Sequence, residues 1–216
     1  MKERWQQLRD QMVDNQLIPR GIHDELVLSA FRKVPRHCFL SKEFRRESAY
    51  GDHPLPIGSG QTVSQPYMVA LMTELLQLKG KERVLEVGSG SGYQAAILAE
   101  LAKEVYTAER IASLAECAEQ TLSELGYSNV RVGVRDGTLG WKEFSPYDGI
   151  VVTAGAPSIP SALIEELSPG GRLVIPIGSA FSQMLTLVVK DQGKIVTSDI
   201  CSCVFVPLIG REGWKR

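Results

Sequence analysis

The chain has 216 residues, 44% hydrophobic and 23% charged, a balance that suits one well-buried globular domain. Its 24 basic and 25 acidic side chains leave a formal net charge of −1, so no overall field draws it toward nucleic acid or anionic lipid. The charged opening Met1-Lys2-Glu3-Arg4 lacks the apolar core of a signal peptide and no apolar run approaches a membrane span, so a cytoplasmic protein without membrane partners is expected.

Helical spacing dominates the segment up to about Arg46. Trp5, Leu8 and Met12 recur on one face, and Leu26, Val27, Ala30 and Phe31 do so again before Val34-Pro35 stops the pattern. A stretch rich in glycine and proline follows, from Tyr50 to Gln65, without periodicity; segments of this length inside a compact protein are often functional. Pro66 biases Gln65 toward an extended conformation and opens a helix reaching about Gln77.

From Arg83 onward strands and helices alternate. Strands are expected near 83–88, 104–109, 130–134, 148–153 and 171–177, with helices near 92–102, 111–125 and 160–167. That order predicts an α/β fold: a doubly wound, mostly parallel sheet with helices on both faces. Two more strands, near 183–190 and 194–206, flank the hairpin-like Asp191-Gln192-Gly193-Lys194, which predicts an antiparallel strand at the far edge. One domain is expected over 1–216. Its residues 1–80 form a helical N-terminal extension with a lid over the substrate, and 81–216 form a cofactor-binding core.

The stretch Arg83-Val84-Leu85-Glu86-Val87-Gly88-Ser89-Gly90-Ser91-Gly92-Tyr93 reads as strand, glycine turn and helix start, the opening of a nucleotide-binding unit. Glycines admit close backbone approach by a ligand, and the N–H groups at the helix start can face its polar end. Glu109 ends the second strand roughly 20 residues later, where an ionised acid can accept from two ribose hydroxyls. Tyr93 interrupts the G-x-G-x-x-G spacing of a dinucleotide loop, which disfavours nicotinamide cofactors. Glu86, just before the turn, suits a cofactor with positive charge, such as the amino-acid part of S-adenosylmethionine. Asp136-Gly137 could bring a carboxylate to an adenine amino group. Each acid also has a bland alternative as an exposed strand-end residue; their shared place at strand C-termini favours the joint reading.

Cys201 and Cys203 share one face of a strand, but no second ligand pair accompanies them, and His23, His37 and His53 show no metal-ligand spacing. All are read as structural or surface residues, with lining of the site as the alternative for His53, and no metal site is expected.

Taken in order, Val34-Pro35-Arg36-His37-x-Phe39, Ala49-Tyr50-x-Asp52, Gly60-Gln61-Thr62-Val63-Ser64-Gln65-Pro66, the glycine loop, Val105-x-x-x-Glu109-Arg110, Asp136-Gly137-x-x-Gly140, Pro169-Gly170-Gly171-Arg172-Leu173-Val174-x-Pro176-x-Gly178 and Phe205-Val206-Pro207-Leu208 resemble the successive signatures of the protein-L-isoaspartate O-methyltransferase family. The glycine loop marks only a superfamily of S-adenosylmethionine enzymes; Gln-Thr-Val-Ser-Gln-Pro is the specific segment. Arg135 stands where the family commonly has glycine, and Val63 where isoleucine is common.

The resemblance implies a Rossmann-like methyltransferase that moves a methyl group from S-adenosyl-L-methionine to the free α-carboxylate of L-isoaspartyl residues in proteins and peptides, starting their repair through a succinimide. It implies Ser64 as the active-site serine, Gly88 and Gly90 in the cofactor loop, Glu109 at the ribose and Asp136 with Gly137 at the adenine. Glu86, and Ser89 and Arg110 inside the same motifs, complete the expected cofactor set. A monomer without nucleic-acid partners is expected.

A substrate carboxylate is already ionised at neutral pH, so the reaction needs alignment and dryness rather than a general base. Ser64 is then expected to hydrogen-bond the substrate carboxylate, with capping of the helix at Pro66 as the structural alternative. Two other readings are a methyltransferase for a small carboxylate or an RNA base, and a cofactor-binding module without activity. Val152-Thr153-Ala154-Gly155-Ala156-Pro157, after the fourth strand, lacks the Asn-Pro-Pro-aromatic signature of base methylation.

Overall fold

The computed structural model describes residues 2–44 and 47–215, so the expected helical limit at Arg46 lies outside the described residues. Helix α1 (Lys2–Met12) widens into a π-turn over Val13–Leu17 and a 3-10 turn over Ile18–Arg20, and α2 (Glu25–Lys33) follows. Asp24 caps α2 by accepting the N–H of Leu26 at 2.9 Å. Short 3-10 turns at Arg36–Phe39 and Glu47–Tyr50 lead into the loop.

That loop departs from its expected irregularity. β1 (Leu55–Gly58) and β2 (Gln61–Val63) pair antiparallel around Ser59-Gly60, whose φ values of 52° and 69° are those of a two-residue hairpin turn. Pro54, Pro56 and the glycines disguise an alternation carried only by Leu55, Ile57 and Val63. Helix α3 (Pro66–Leu76) begins at the expected proline and stops at Gln77, in the left-handed region with φ 56°.

The core then runs β3 (Arg83–Val87), α4 (Tyr93–Ala99), β4 (Glu104–Glu109), α5 (Ala112–Glu124), β5 (Val130–Val134), β6 (Tyr147–Val152), α6 (Ser161–Glu165), β7 (Leu167–Gly178), β8 (Gln183–Asp191) and β9 (Lys194–Cys203). The seven strands lie in the order β5-β4-β3-β6-β7-β8-β9. β3 to β7 are parallel, while β8 is antiparallel to both of its neighbours. The reversed strand therefore sits one place in from the edge, and β9 returns to the sense of β7. Two consecutive hairpins produce this; the second turns at Gln192-Gly193, with φ of 46° and 80°. The last strand ends at Cys203 rather than 206, and α6 stops at Glu165 because Leu167 already pairs with Tyr147. The bulge this creates is absorbed at Gly170-Gly171, ahead of the Gly149–Arg172 pairing.

Alternation along the strands divides the interior in two. Val84, Val105, Val151 and Val174 join one core with Met12, Phe31, Met72 and Ile97, so α1 to α4 roof that face of the sheet. Leu85, Tyr106, Ile150 and Leu173 face the other core, closed by Trp141, Tyr147, Leu163 and Leu208. The N-terminal helices are thus a layer of the fold and not an appendage. Fully buried Arg36 ties them to α4: its Nε donates to the Ala49 carbonyl at 2.9 Å and its guanidinium lies over the Tyr93 ring, 4.8 Å from the centroid.

Candidate active site

The parallel register sets Val87 beside Ala108 on one side and Val152 on the other, so β3, β4 and β6 deliver their C-terminal ends to one rim. Ligands of open α/β sheets bind outside such rims. After Val87 the chain turns through Gly88, Gly90 and Gly92, with φ of 103°, 51° and 87°. A Cβ on Gly88 would stand 2.3 Å from Thr153 Oγ1, so glycine is required there by space as well as by φ. Thr153 holds the turn from the end of β6 by donating to the Gly88 carbonyl at 2.7 Å.

Three linked hollows open on this rim. One, next to Glu86 and Ser89, is closed by Thr62, Ser64 and Tyr93. A second, under Gly88 and Gly90, is bounded by Glu109, Arg110 and the strap Val206–Ile209. The third is a groove of about 620 Å³ running from Arg20 and Tyr67 past Ser64 to residues 201–206. Thr62 and Thr153 border all three, and Ser64 borders the first and the third. Hairpin β1–β2 lies over the glycine turn: a Cβ on Gly90 would meet Ile57 Cδ1 at 3.1 Å.

Glu109 is buried, and both of its oxygens are held by backbone: Gly90 N–H donates to Oε2 at 3.0 Å and Ile111 N–H to Oε1 at 2.9 Å. Glu86 is wholly buried. Its Oε2 accepts from the Thr107 hydroxyl, which is 2.6 Å from the Ser89 hydroxyl, and its Oε1 has no partner. Burial pushes the Glu86 carboxyl up to about 8; the Thr107 hydroxyl opposes the shift and the charge of Glu109 adds to it.

Ser64 is half-buried and does not cap α3. The N-cap is Gln65, and Tyr67 N–H donates instead to Asp52 Oδ1 at 2.9 Å. Asp52 Oδ2 accepts from Gln65 Nε2 at 3.0 Å and pairs with Arg20, which lies over the Tyr67 ring, 3.5 Å from its centroid. Gln65 and Tyr67, one and three residues after Ser64, are therefore clamped from the N-terminal layer.

The structure brings Ser64, Glu86, Gly88, Ser89, Gly90, Glu109 and Arg110 together around the hollows. It does not bring Asp136 to them. Asp136 caps the turn Gly137–Leu139: its Oδ1 accepts from the N–H and hydroxyl of Thr138, and its Oδ2 from Arg211 N–H at 2.8 Å. Burial works against its charge, but the Thr138 hydroxyl and those N–H groups hold its pKa below the usual carboxylate range. Gly137 packs beneath the rim, where a Cβ would meet Val87 Cγ1 at 2.5 Å. His53 lines none of the three hollows, whereas Cys201 and Cys203, both free thiols, line the groove. Among the described residues no group of His, Cys, Asp and Glu side chains is arranged to hold a metal ion. Thr153, Thr62, Asp52 and Arg20 were not singled out for the site by sequence. Thr62 and Asp52 lie inside motifs of the resemblance and Thr153 at the end of an expected central strand, while Arg20 carries no such signal.

Comparison with known proteins agrees with this architecture. Residues 7–213 match the profile of the family described as protein-L-isoaspartate(D-aspartate) O-methyltransferase (PCMT). The chain is 53% identical over 211 residues to protein-L-isoaspartate O-methyltransferase 1 of Syntrophobacter fumaroxidans, covering 98% of each chain. It is 55% identical over 208 residues to protein-L-isoaspartate O-methyltransferase 2 of Geotalea uraniireducens, covering 96% of this chain and 95% of that one. Among solved structures, a protein-L-isoaspartate O-methyltransferase superposes with a TM-score of 0.84 at 30% identity, covering 99% of this chain and 67% of the other. A candidate member from Plasmodium falciparum, solved with S-adenosyl-L-homocysteine, superposes with a TM-score of 0.81 at 28% identity, covering 93% of this chain and 98% of that one.

Proposed function

The chain belongs to the protein-L-isoaspartate O-methyltransferase family, and from that premise we propose how its own residues divide the work of methyl transfer. The enzyme transfers a methyl group from S-adenosylmethionine to the free α-carboxylate of L-isoaspartyl residues in damaged proteins and peptides. The ester so formed closes to a succinimide without further help as the following main-chain nitrogen displaces methanol, and water partly reopens the ring as aspartate.

The residues at the rim fit the donor. Glu109 offers a rigid carboxylate suited to a ribose diol, the turn at Gly88 and Gly90 leaves no side chain in the way, and the unpartnered Oε1 of Glu86 suits a cationic group. Bound there, the donor supplies an electrophilic methyl on a sulfonium sulfur. Asp136, held by Thr138 and Arg211, stands with Gly137 as the adenine contact in this reading.

The substrate carboxylate is the nucleophile, and orientation is what the protein contributes, on the order of 7–11 kcal/mol for well-aligned reactants. Ser64 carries this reading: its hydroxyl stands where the groove meets the donor hollow, so it can donate to a carboxylate presented from the groove. The β1–β2 hairpin keeps water from the donor side. Residues 201–206 form the far wall of the groove and offer main chain to a peptide, which suits tolerance of varied sequences. Arg110 flanks the donor hollow as an exposed cation.

The near-neutral charge supports an enzyme without nucleic-acid partners. No helix among the described residues is long and apolar enough to cross a membrane. The deciding experiment is radiolabelled methyl transfer to paired peptides that differ only in isoaspartyl or aspartyl linkage. Methylation of the isoaspartyl peptide alone is expected; equal rates would reject the substrate assignment, and donor binding without turnover would reject the enzyme.

A further inference from the structure

Among the described residues, Glu86 Oε1 is the one buried carboxylate oxygen without a hydrogen-bond partner, and it belongs to a side chain that walls the hollow beside Ser64. Its other oxygen ends a relay of three buried groups: Glu86 Oε2, the Thr107 hydroxyl, and the Ser89 hydroxyl 2.6 Å further on. A hydroxyl has one proton to give, so the relay has two consistent directions. If Glu86 is ionised, Ser89 donates to Thr107 and Thr107 to Glu86, and Ser89 turns lone pairs to the hollow. If Glu86 is protonated on Oε2, it donates to Thr107 and Thr107 to Ser89; a proton on the unpartnered Oε1 leaves the relay running toward Glu86.

The surroundings decide between the two. No lysine or arginine lines this hollow. The charged group acting on Glu86 from β4 is Glu109, of the same sign. From α4 come Gln94 and Tyr93, and burial holds the Tyr93 phenol neutral far above its usual range. Arg36 lies against the Tyr93 ring. From β6 comes apolar Val151, paired with Glu86 in register, and from the loop before α3 comes the neutral Ser64. An isolated charge buried among such neighbours is strongly disfavoured. A donor with a sulfonium and an ammonium group brings the missing countercharge with it.

Resting on the reading of Glu86 as a wall of the donor hollow, we propose that Glu86 carries a proton while the hollow is empty and surrenders it to solvent when the cationic methyl donor enters. With the carboxylate ionised, the relay runs from Ser89 through Thr107 to Glu86, so that Glu86 and Ser89 both present acceptors to the donor. Donor binding is then coupled to the release of one proton, and Glu86 acts as the residue that senses positive charge in the cofactor. Burial, which holds the empty-state carboxyl at about 8, supplies the proton at neutral pH.

Calorimetric titration of the whole enzyme with S-adenosylmethionine, in buffers of different protonation enthalpy near pH 6.5, counts the protons directly. At that pH the donor's own α-amino group stays protonated, since such groups titrate at about 7.7–8.0. Release of nearly one proton is expected, with donor affinity rising by up to about tenfold per pH unit between roughly pH 5 and 8. Glu86→Gln mimics the protonated acid, so its proton count should fall to near zero and its weaker affinity should stay flat with pH. Infrared difference spectra should show a protonated carboxyl band vanishing when the donor is added, in the wild type and not in Glu86→Gln. The same titration with S-adenosylhomocysteine, which keeps the ammonium but lacks the sulfonium, locates the responsible charge: release with both ligands assigns the ammonium, release with the donor alone assigns the sulfonium. Wild-type binding without proton release overturns the proposal while leaving Glu86 a donor contact if Glu86→Gln still weakens binding. Unchanged affinity and unchanged proton count in Glu86→Gln overturn both.

Discussion

Asp52 accepts the backbone N–H of Tyr67 at 2.9 Å across fifteen residues of chain, and Ser64 lies within the loop so closed. The first turn of α3 is capped from a distance, by an acid that also binds Gln65 and Arg20. Position and stability are therefore coupled here. Asp52→Ala should cost about 1–3 kcal/mol in denaturant unfolding, from a lost charged hydrogen bond and cap. It should also lower kcat, because the segment that directly follows Ser64 is no longer held at Gln65 and Tyr67. Normal turnover in the folded variant would show that Ser64 needs no such clamp.

Ser64→Ala should behave in the opposite way. The hydroxyl caps nothing, so unfolding should be unchanged, and donor affinity should hold. Turnover should fall about tenfold to a hundredfold, the worth of one hydrogen bond to a charged group at about 1.5–3 kcal/mol. Stability, donor titration and single-turnover rates on one variant check all three expectations.

Glu109→Ala should weaken donor binding by about 1–3 kcal/mol through lost charge-assisted bonds. It also frees the N–H groups of Gly90 and Ile111, so hydrogen exchange at both amides should quicken. Tighter nicotinamide binding than methyl-donor binding in the wild type would reverse the cofactor preference read from the loop.

Glu86 sets the sign of a pH effect on the empty enzyme. Its folded pKa, about 8, exceeds the ordinary 4.5, so the folded state holds a proton that the unfolded chain has lost. Stability is then fully present below about 4.5 and declines as pH rises toward 8, by at most about 1.4 kcal/mol per unit from this group. Melting curves of wild type and Glu86→Gln should diverge across that window, with the variant less sensitive to pH.

Gly88→Ala should be among the costlier single changes in the site. Its Cβ would face Thr153 Oγ1 at 2.3 Å on a backbone with φ of 103°. Adding Thr153→Ala should relieve the clash and recover part of the lost stability, while the conformational strain remains. Complete recovery would mean that space alone selects glycine.

The glycine turn was readable because β-branched strand residues, three glycines and a helical run follow one another without interruption. The hairpin over it was not, since prolines and glycines left only Leu55, Ile57 and Val63 to carry the alternation. Likewise the turn at Gln192-Gly193 was plain in sequence, yet which neighbour the returning strand would pair with is a matter of tertiary topology. Ser64, Glu86 and Glu109 were legible through motif and strand position. Asp136 has the same strand-end placement, and its oxygens already accept from Thr138 and Arg211. Local spacing says where an acid sits and not what its oxygens meet. Asp52 is the converse case: its importance lies wholly in partners at Arg20, Gln65 and Tyr67, which no local pattern joins to it.

The helices that roof the Val84, Val105, Val151 and Val174 face also carry Arg20, next to the groove, and lead into Asp52 and the hairpin. A fragment beginning near residue 81 would keep only α4 of these helices over that valine face and would lack Arg20 and Ser64, which line the proposed peptide groove. If the groove takes the peptide as proposed, substrate recognition and folding draw on one and the same set of residues. Exchanging the first eighty residues between relatives to change what is methylated would mean redesigning half of the interior at the same time.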